Sequence, residues 1–374
     1  MLWSCCLFLE WKADEWRIGL ANDKLAIGLD IGSTSIKLVG LKKQRTRYVL
    51  EHFGIKHMPP ETIVDGALMN SSAVIQSIQE LVKELRLKRK EVAIGIGGNS
   101  IIIKKLTMPT MSHFELDETI SSGMQQYIPF DAKDVFVDTF ILPGMKDEVT
   151  DQMDVVLVAA KKEVVNDYMS IVWESGLKPV VVDVDVFAIQ NCFHANYGAN
   201  ENDTIALINI GAEVVGINII RKGISQFTRD IHIGGKQFTE EIQKQLDVSV
   251  DEAETLKSAV NENQIDLKRR QEIQAALEKV AEQVAVEIQR SLDFYSGIDD
   301  SSFAKVYVSG GAARTPRLIQ AIQGRTRTQT EIIHPFKAIH MDSKRFPPDF
   351  IEKMGTMAAV AVGLALRRPG DKLY

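Results

Sequence analysis

The sequence predicts an α/β protein built from two related halves, on three observations. From Leu25 onward, strand-like and helix-like segments alternate. One strand–turn–strand segment near the start recurs at low identity in the middle of the chain. The 374 residues also exceed what one hydrophobic core organises, so two domains or a pair of lobes is the expectation.

Short runs rich in Val, Ile and Leu place strands at 25–29, 36–41, 92–96, 101–106, 155–160, 180–184, 205–209, 215–220 and 305–308. Between them lie helices with readable ends. Ser112 and Glu115 form an S-x-x-E capping box, followed by Leu116, Ile120, Met124 and Tyr127 at helical spacing before Pro129 stops the run. A second helix begins at Ser249, with Glu252 three residues on. Across 264–295, Ile273, Leu277, Val280, Val284, Ile288, Leu292 and Tyr295 recur at steps of three and four, which predicts the longest amphipathic helix, with a packing role. The charged run 83–91 reads as a solvated helix end. No low-complexity linker occurs, so interleaved crossings are expected to join the halves.

Composition narrows the function. Hydrophobic residues make up 45%, charged residues 25% and aromatic residues 7%, the profile of a globular domain. A net charge of -6, from 44 basic and 50 acidic residues, argues against nucleic-acid binding, which needs a concentrated basic face. Cys5, Cys6 and Cys192 imply no disulfide framework and fit a reducing cytoplasm. Residues 1–9 are apolar, but Glu10, Lys12, Asp14 and Glu15 follow at once; 1–23 is read as a disordered extension, neither signal peptide nor anchor. No run of about 18 apolar residues occurs, so no transmembrane helix is expected.

The chemistry is concentrated in three turns. Residues 26–39 (AIGLDIGSTSIKLV) and 205–218 (IALINIGAEVVGIN) match strand to strand and turn to turn. In each copy an apolar strand reaches a polar residue, Asp30 or Asn209, then Ile-Gly, then a short turn and a second apolar strand. Gly32 and Gly211 leave the turn without a Cβ, so backbone N–H groups can approach a phosphate. Asp30, at a strand end, is placed to hold a hydrated Mg²⁺. Ser33, Thr34 and Ser35 add hydroxyl donors, and Lys37 adds a point charge. Either turn alone reads first as a plain hairpin; the matched pair is what points to phosphate. The third segment, 306–316 (VYVSGGAARTP), reads as a buried strand, a glycine turn, and a helix with Thr315 as N-cap and Pro316 at N1. Gly310, Gly311 and Ala312 would let a flat base or ribose lie against the backbone, with Arg314 completing the candidate set, although a tight βα turn is the alternative.

Three such turns in this order resemble the superfamily of actin, sugar kinases and chaperones. Residues 231–239 (IHIGGKQFT) resemble the G-G-x-x-F segment after its second phosphate turn, which adds Gly234 and Gly235. Residues 254–257 (ETLK) resemble the helix whose Glu and Lys contact ribose and adenine, here Glu254 and Lys257. The closing stretch 355–366 (GTMAAVAVGLAL) resembles its final small-residue helix. Together these cover 25–368. Within the superfamily, 106–109 (LTMP), the capped helix after it, 127–130 (YIPF) and 138–141 (DTFI) are similar to the PilM family of type IV pilus assembly proteins, in the FtsA-like branch.

The resemblance implies a two-lobed actin-like fold, ribonuclease H-like and duplicated, with an FtsA/PilM-type inserted subdomain. The first lobe would comprise 24–98 and 180–203 with a C-terminal helix at 355–368. The insertion would run over 99–179, and the second lobe over 204–354, including a helical part at 237–300. It also implies ATP with Mg²⁺ as ligands, Asp30 and Asn209 lying on the metal side. The implied partner is the cytoplasmic tail of an inner-membrane protein of the PilN type, bound near the insertion. That would hold the protein at the inner face of the inner membrane.

The sequence departs from this pattern at the second turn. Asn209 stands where the superfamily has Asp, and Ala212, Glu213 and Val214 replace small or hydroxyl residues. An amide brings no charge, so metal affinity and water activation weaken, and binding is better supported than hydrolysis. For orienting a water only Asp183 or Asp185 is a candidate, and a strand-end carboxylate satisfied by backbone donors is an equal reading. The seven histidines form no metal-ligand spacing. A small-molecule kinase is the alternative function. FtsA-like and GspL-like readings would need membrane segments that the sequence does not supply.

Overall fold

A computed structural model describes residues 25–142, 151–198, 203–259, 266–297 and 302–371. The expected extension 1–23 lies outside them. The chain divides into two compact units. Unit 1 holds the described residues up to Tyr197, the segment Phe336–Pro347 and the residues from Val360 on; unit 2 holds Gly198–Pro335 and Pro348–Ala359. The chain thus passes back and forth between the units.

In unit 1, β1 (Ile27–Ile31), β2 (Ser35–Gln44) and β3 (Arg47–His57) form an antiparallel meander. A small hairpin, β4 (Ile63–Val64) and β5 (Ala67–Leu68), and helix α1 (Ser71–Glu84) then lead to β6 (Glu91–Ile96), parallel to β1. Next come β7 (Ile101–Pro109), α2 (His113–Tyr127), β8 (Val135–Ile141) and β9 (Gln152–Lys161), which form a separate three-stranded antiparallel sheet ordered β7-β9-β8. One face of it is covered by α2, where Leu116 and Ile120 pack with Met153, Val155 and Leu157. The chain then returns through α3 (Lys162–Glu174), which packs on α1 and on β10 (Lys178–Val184). Strand β10 joins β6 in parallel and completes the order β10-β6-β1-β2-β3, and α4 (Asp185–Tyr197) follows directly.

Unit 2 repeats this plan. It contains β11 (Thr204–Ile210), β12 (Val215–Arg221), β13 (Ile224–Ile231), α5 (Gly235–Leu246), α6 (Val250–Ala259), α7 (Leu267–Ser296), β14 (Phe303–Ser309), α8 (Leu318–Thr326) and β15 (Thr330–Ile332). Its sheet runs β13-β12-β11-β14-β15, with an antiparallel meander on one side of β11 and two parallel strands on the other. The internal duplication read from two short segments therefore extends to the whole sheet. The last elements are α9 (Pro348–Met354), a short 3₁₀ turn at Gly355–Ala358, and α10 (Ala359–Ala365). Among the described residues no helix is long and apolar enough to cross a membrane.

The helix readings hold at three points. Ser112 Oγ accepts from the Glu115 N–H while the Glu115 carboxylate accepts from the Ser112 N–H, at 3.3 and 2.8 Å. Ser249 Oγ accepts from the Glu252 N–H. Helix α7 has 30 residues and buries each of the seven periodic positions named above. Two readings need correction. The helix after the third turn does not start at Thr315: Gly311–Arg314 is a 3₁₀ turn ended by Thr315, and α8 begins at Leu318 behind Arg317, which has φ 71°. In the charged run, Arg89 is only partly exposed. Its guanidinium binds the carbonyls of Leu25 and Leu41 and pairs with Glu51 at 2.9 Å, tying the approach to β1 to β2 and β3.

Candidate functional site

The first turn is closed by the Gly32 N–H donating to the Ser35 carbonyl at 3.2 Å, so β1 and β2 meet in register with Asp30 opposite Lys37. Cross-strand partners share a face, and the two side chains meet there. Lys37 Nζ lies 3.3 Å from Asp30 Oδ2 and 3.2 Å from the Ser35 carbonyl, with both side chains nearly enclosed at 13% and 12% exposure. A Cβ on Gly32 would stand 3.0 Å from that ammonium, so the space left by the missing side chain holds the charge of Lys37. Ser35 is 1% exposed, and its hydroxyl finds no hydrogen-bond partner among the described residues. Ser33 is half-buried and Thr34 is exposed at the tip, where its carbonyl accepts from the Met58 N–H.

At the C-terminal ends of the parallel strands β6 and β10, on the side of β1 away from β2, the two carboxylate candidates separate. Asp183 is wholly buried, with Oδ1 accepting from the Val184 N–H at 2.8 Å and Oδ2 3.3 Å from Nη1 of the equally buried Arg367. Burial pushes its carboxyl up and Arg367 opposes this. Such a group is a buried ion pair with one backbone donor, whereas the alternative read from the sequence had backbone donors alone. Asp185, the first residue of α4, reaches instead toward Gly95 and Gly97; side chains at either glycine would collide with its carboxylate. The run Gly95-Ile96-Gly97-Gly98 fails a dinucleotide fingerprint, and the structure gives it this different purpose.

The second turn closes like the first, the Gly211 N–H donating to the Val214 carbonyl at 3.0 Å. Asn209 Oδ1 accepts from the Ser309 hydroxyl at 3.2 Å, across the parallel pair β11–β14. The carbonyls of Gly211 and Ala212 accept from the Gly235 and Lys236 N–H groups that open α5, at 2.9 and 2.8 Å. That close approach requires glycine at Gly234, whose Cβ would stand 2.6 Å from the Ala212 carbonyl oxygen. Beside it lies the third turn. Gly310 has φ 97°, a Cβ there would fall on the Ile210 carbonyl, and its N–H donates to the Thr356 carbonyl at 3.1 Å. Ala312 contacts the Gly235 position, and exposed Gly311 has Met357 against it. Lys257 Nζ bridges the Glu254 carboxylate (2.7 Å) and the Thr239 hydroxyl (2.8 Å), and Thr239 donates to Glu254, so α6 is tied to the start of α5. Arg314, exposed, donates to the Glu352 carbonyl. Unit 2 thus brings together Asn209, Gly211, Ala212, Gly234, Gly235, Gly310, Gly311 and Ala312, with Glu254 and Lys257 attached through α5. The residues that sequence reasoning missed here are Ser309, Thr356 and Met357, none of which carries a local signal.

Comparison with known proteins gives the arrangement a family. The family model of type IV pilus assembly protein PilM matches residues 28–369. The chain belongs to the PilM family. A solved PilM–PilN type IV pilus biogenesis complex contains a chain 27% identical to this one, with TM-score 0.83, covering 92% of this chain and 99% of that one. The cell division protein FtsA of Bacillus subtilis (strain 168) is 23% identical over 362 residues, 84% of this chain and 79% of its own length. The ethanolamine utilization protein EutJ of Carboxydothermus hydrogenoformans shares the fold at TM-score 0.56 and 17% identity, over 93% and 92% of the two chains. The fold of this PilM-family protein is the actin-like α/β fold. Its first turn suits a phosphate group, with an orphaned buried hydroxyl at Ser35, a bare glycine at Gly32 and a lysine. For a cation it offers one carboxylate, Asp30, and among the described residues no three of His, Cys, Asp and Glu gather as a metal cage. That donor set fits a hydrated Mg²⁺ carried largely by substrate phosphates, and not a standing metal centre.

Proposed function

We propose that the protein is the ATP-binding, actin-like scaffold of a type IV pilus machine. In this reading it docks the cytoplasmic tail of a PilN-type inner-membrane protein when nucleotide is bound, at the inner face of that membrane. The likeness to the PilM chain of the PilM–PilN complex carries the reading, because it spans nearly all of both chains. The nucleotide part is supported by the two matched turns. Ser33, Thr34, Ser35 and Lys37 would take phosphate oxygens and Asp30 the cation's water shell. Gly310, Gly311, Ala312, Glu254, Lys257 and Arg314 would receive the nucleoside. Magnesium would supply charge neutralisation to the phosphates.

Hydrolysis is proposed to be slow or absent. Asn209 brings an amide whose oxygen is already engaged by Ser309, and Asp183 is sealed in an ion pair. Asp185, beside Gly95 and Gly97, is the carboxylate left to orient a water. Thermal melts with saturating ATP and Mg²⁺, with and without a synthetic PilN-type tail peptide, test the proposal. A ligand that binds only the folded protein at 100 times its Kd adds about 2.7 kcal/mol. The midpoint should rise with ATP, and peptide binding should tighten with ATP present. An unmoved midpoint refutes the nucleotide site, and peptide affinity indifferent to ATP refutes the coupling.

A further inference from the structure

We infer that Lys37 is a counter-ion lock on Asp30, holding the carboxylate closed to free divalent cations and releasing it only to a cation that arrives with phosphates. The inference rests on the proposed nucleotide reading for its purpose, but its geometry stands by itself. Asp30 and Lys37 are register partners at the mouth of the first turn, and the ammonium lies 3.3 Å from Oδ2 while a second N–H reaches the Ser35 carbonyl at 3.2 Å. Both side chains are nearly enclosed, so water screens the pair little. The ammonium also stands over the bare face of Gly32, which is where a phosphate would approach the turn's N–H groups.

A free cation entering this site meets a fixed positive charge and must break the pair with nothing to offer Lys37 in return. A phosphate-borne cation makes an exchange. The phosphate oxygens take the ammonium, which has three donors and no acceptor, and the cation takes the carboxylate. Ser35, at the end of the same turn, is buried, and its hydroxyl has no partner among the described residues.

The test uses Mn²⁺ alone, with no nucleotide, titrated into the full chain and followed by electron paramagnetic resonance. Lys37→Met should bind Mn²⁺ at least about tenfold more tightly than the parent, a difference of ~1.4 kcal/mol. Adding Asp30→Asn to Lys37→Met should abolish that gain. Equal Mn²⁺ binding by parent and Lys37→Met overturns the lock, and so does a double variant that binds as well as the single one. Thermal melts of each variant confirm folding, and a fourth protein, Lys37→Arg, keeps the charge and should behave like the parent even if methionine proves poorly tolerated. Because no ATP is present, a protein that binds no nucleotide would fail the proposed function and leave this result intact.

Discussion

Removing Asp183 should cost unit 1 about 3 kcal/mol. The variant Asp183→Ala leaves Arg367 fully enclosed, with its nearest remaining carboxylate, Asp371, 4.0 Å from Nε and partly exposed. Breaking a buried ion pair by deleting one partner costs about 3–5 kcal/mol, since the surviving charge has lost its solvent and its counter-charge. Asp371 can take over part of the guanidinium, which places the expected cost at the lower end. Against a typical total of about 5–15 kcal/mol, this is a large share. The double variant Asp183→Leu with Arg367→Leu removes both charges and should return to within about 1–2 kcal/mol of the parent. Urea unfolding at pH 7, with the slope unchanged between variants, measures both. If Asp183→Ala costs less than about 1 kcal/mol, or if the double variant is as unstable as the single, the ion pair is not what holds β10 to the C-terminal segment.

Two other outcomes follow from the packing. Burial lowers His194 in α4 to about 4, while an unfolded histidine titrates near about 6.5. Between those values the unfolded chain binds a proton that the folded chain refuses, so stability should fall by up to about 3 kcal/mol as pH drops from 6.5 toward 4. His194→Gln should flatten that part of a urea-midpoint profile, and an unchanged slope would refute the assignment. Gly310→Ala forces an alanine to φ 97° with its Cβ 2.7 Å from Asn209 Oδ1, whereas Gly32→Ala meets the movable end of Lys37 at 3.0 Å and backbone no closer than the Ser35 carbonyl at 3.4 Å. Gly310→Ala should cost at least about 3 kcal/mol, from strain plus overpacking; Gly32→Ala should cost under about 1 kcal/mol. Equal midpoints for the two would show that the third turn is more yielding than its geometry implies.

What the sequence disclosed follows from where each signal resides. Central strands β1 and β11 are buried along almost their whole length and β14 carries Val306 and Val308 at alternate, buried positions, so all three were legible as apolar strands. Strand β3, read as RYVLEHFGIKH, was not. Half its residues are polar, and its outer edge is completed by a distant segment through the Leu50 N–H to the His340 carbonyl and the His340 N–H to the Tyr48 carbonyl. Strands β13 and β15 escaped for similar reasons, one mixed in character and the other three residues long. In the site, the glycine turns were legible because backbone closure is local. The partners of Asp183, Asn209 and Asp185 were not, since Arg367, Ser309 and Gly95 lie about a hundred residues or more away in the chain and nothing local marks them.

The duplication shows which charges the molecule kept. In the first copy the register pairs Asp30 with Lys37; in the second the same register pairs Asn209 with Gly216. The carboxylate and the lysine across from it are thus absent together. Each absence accounts for the other. An aspartate at 209 opposite a glycine would have only the Ser309 hydroxyl to offset its charge, and an under-compensated carboxylate in a half-buried turn is destabilising. An amide accepts the same hydrogen bond without that penalty. The lysine, in turn, would have faced no carboxylate. The charged pair thus sits in one turn and not in the other, and under the proposed nucleotide reading this asymmetry is what would leave the second turn poorly equipped to polarise a water, the electrostatic requirement of hydrolysis.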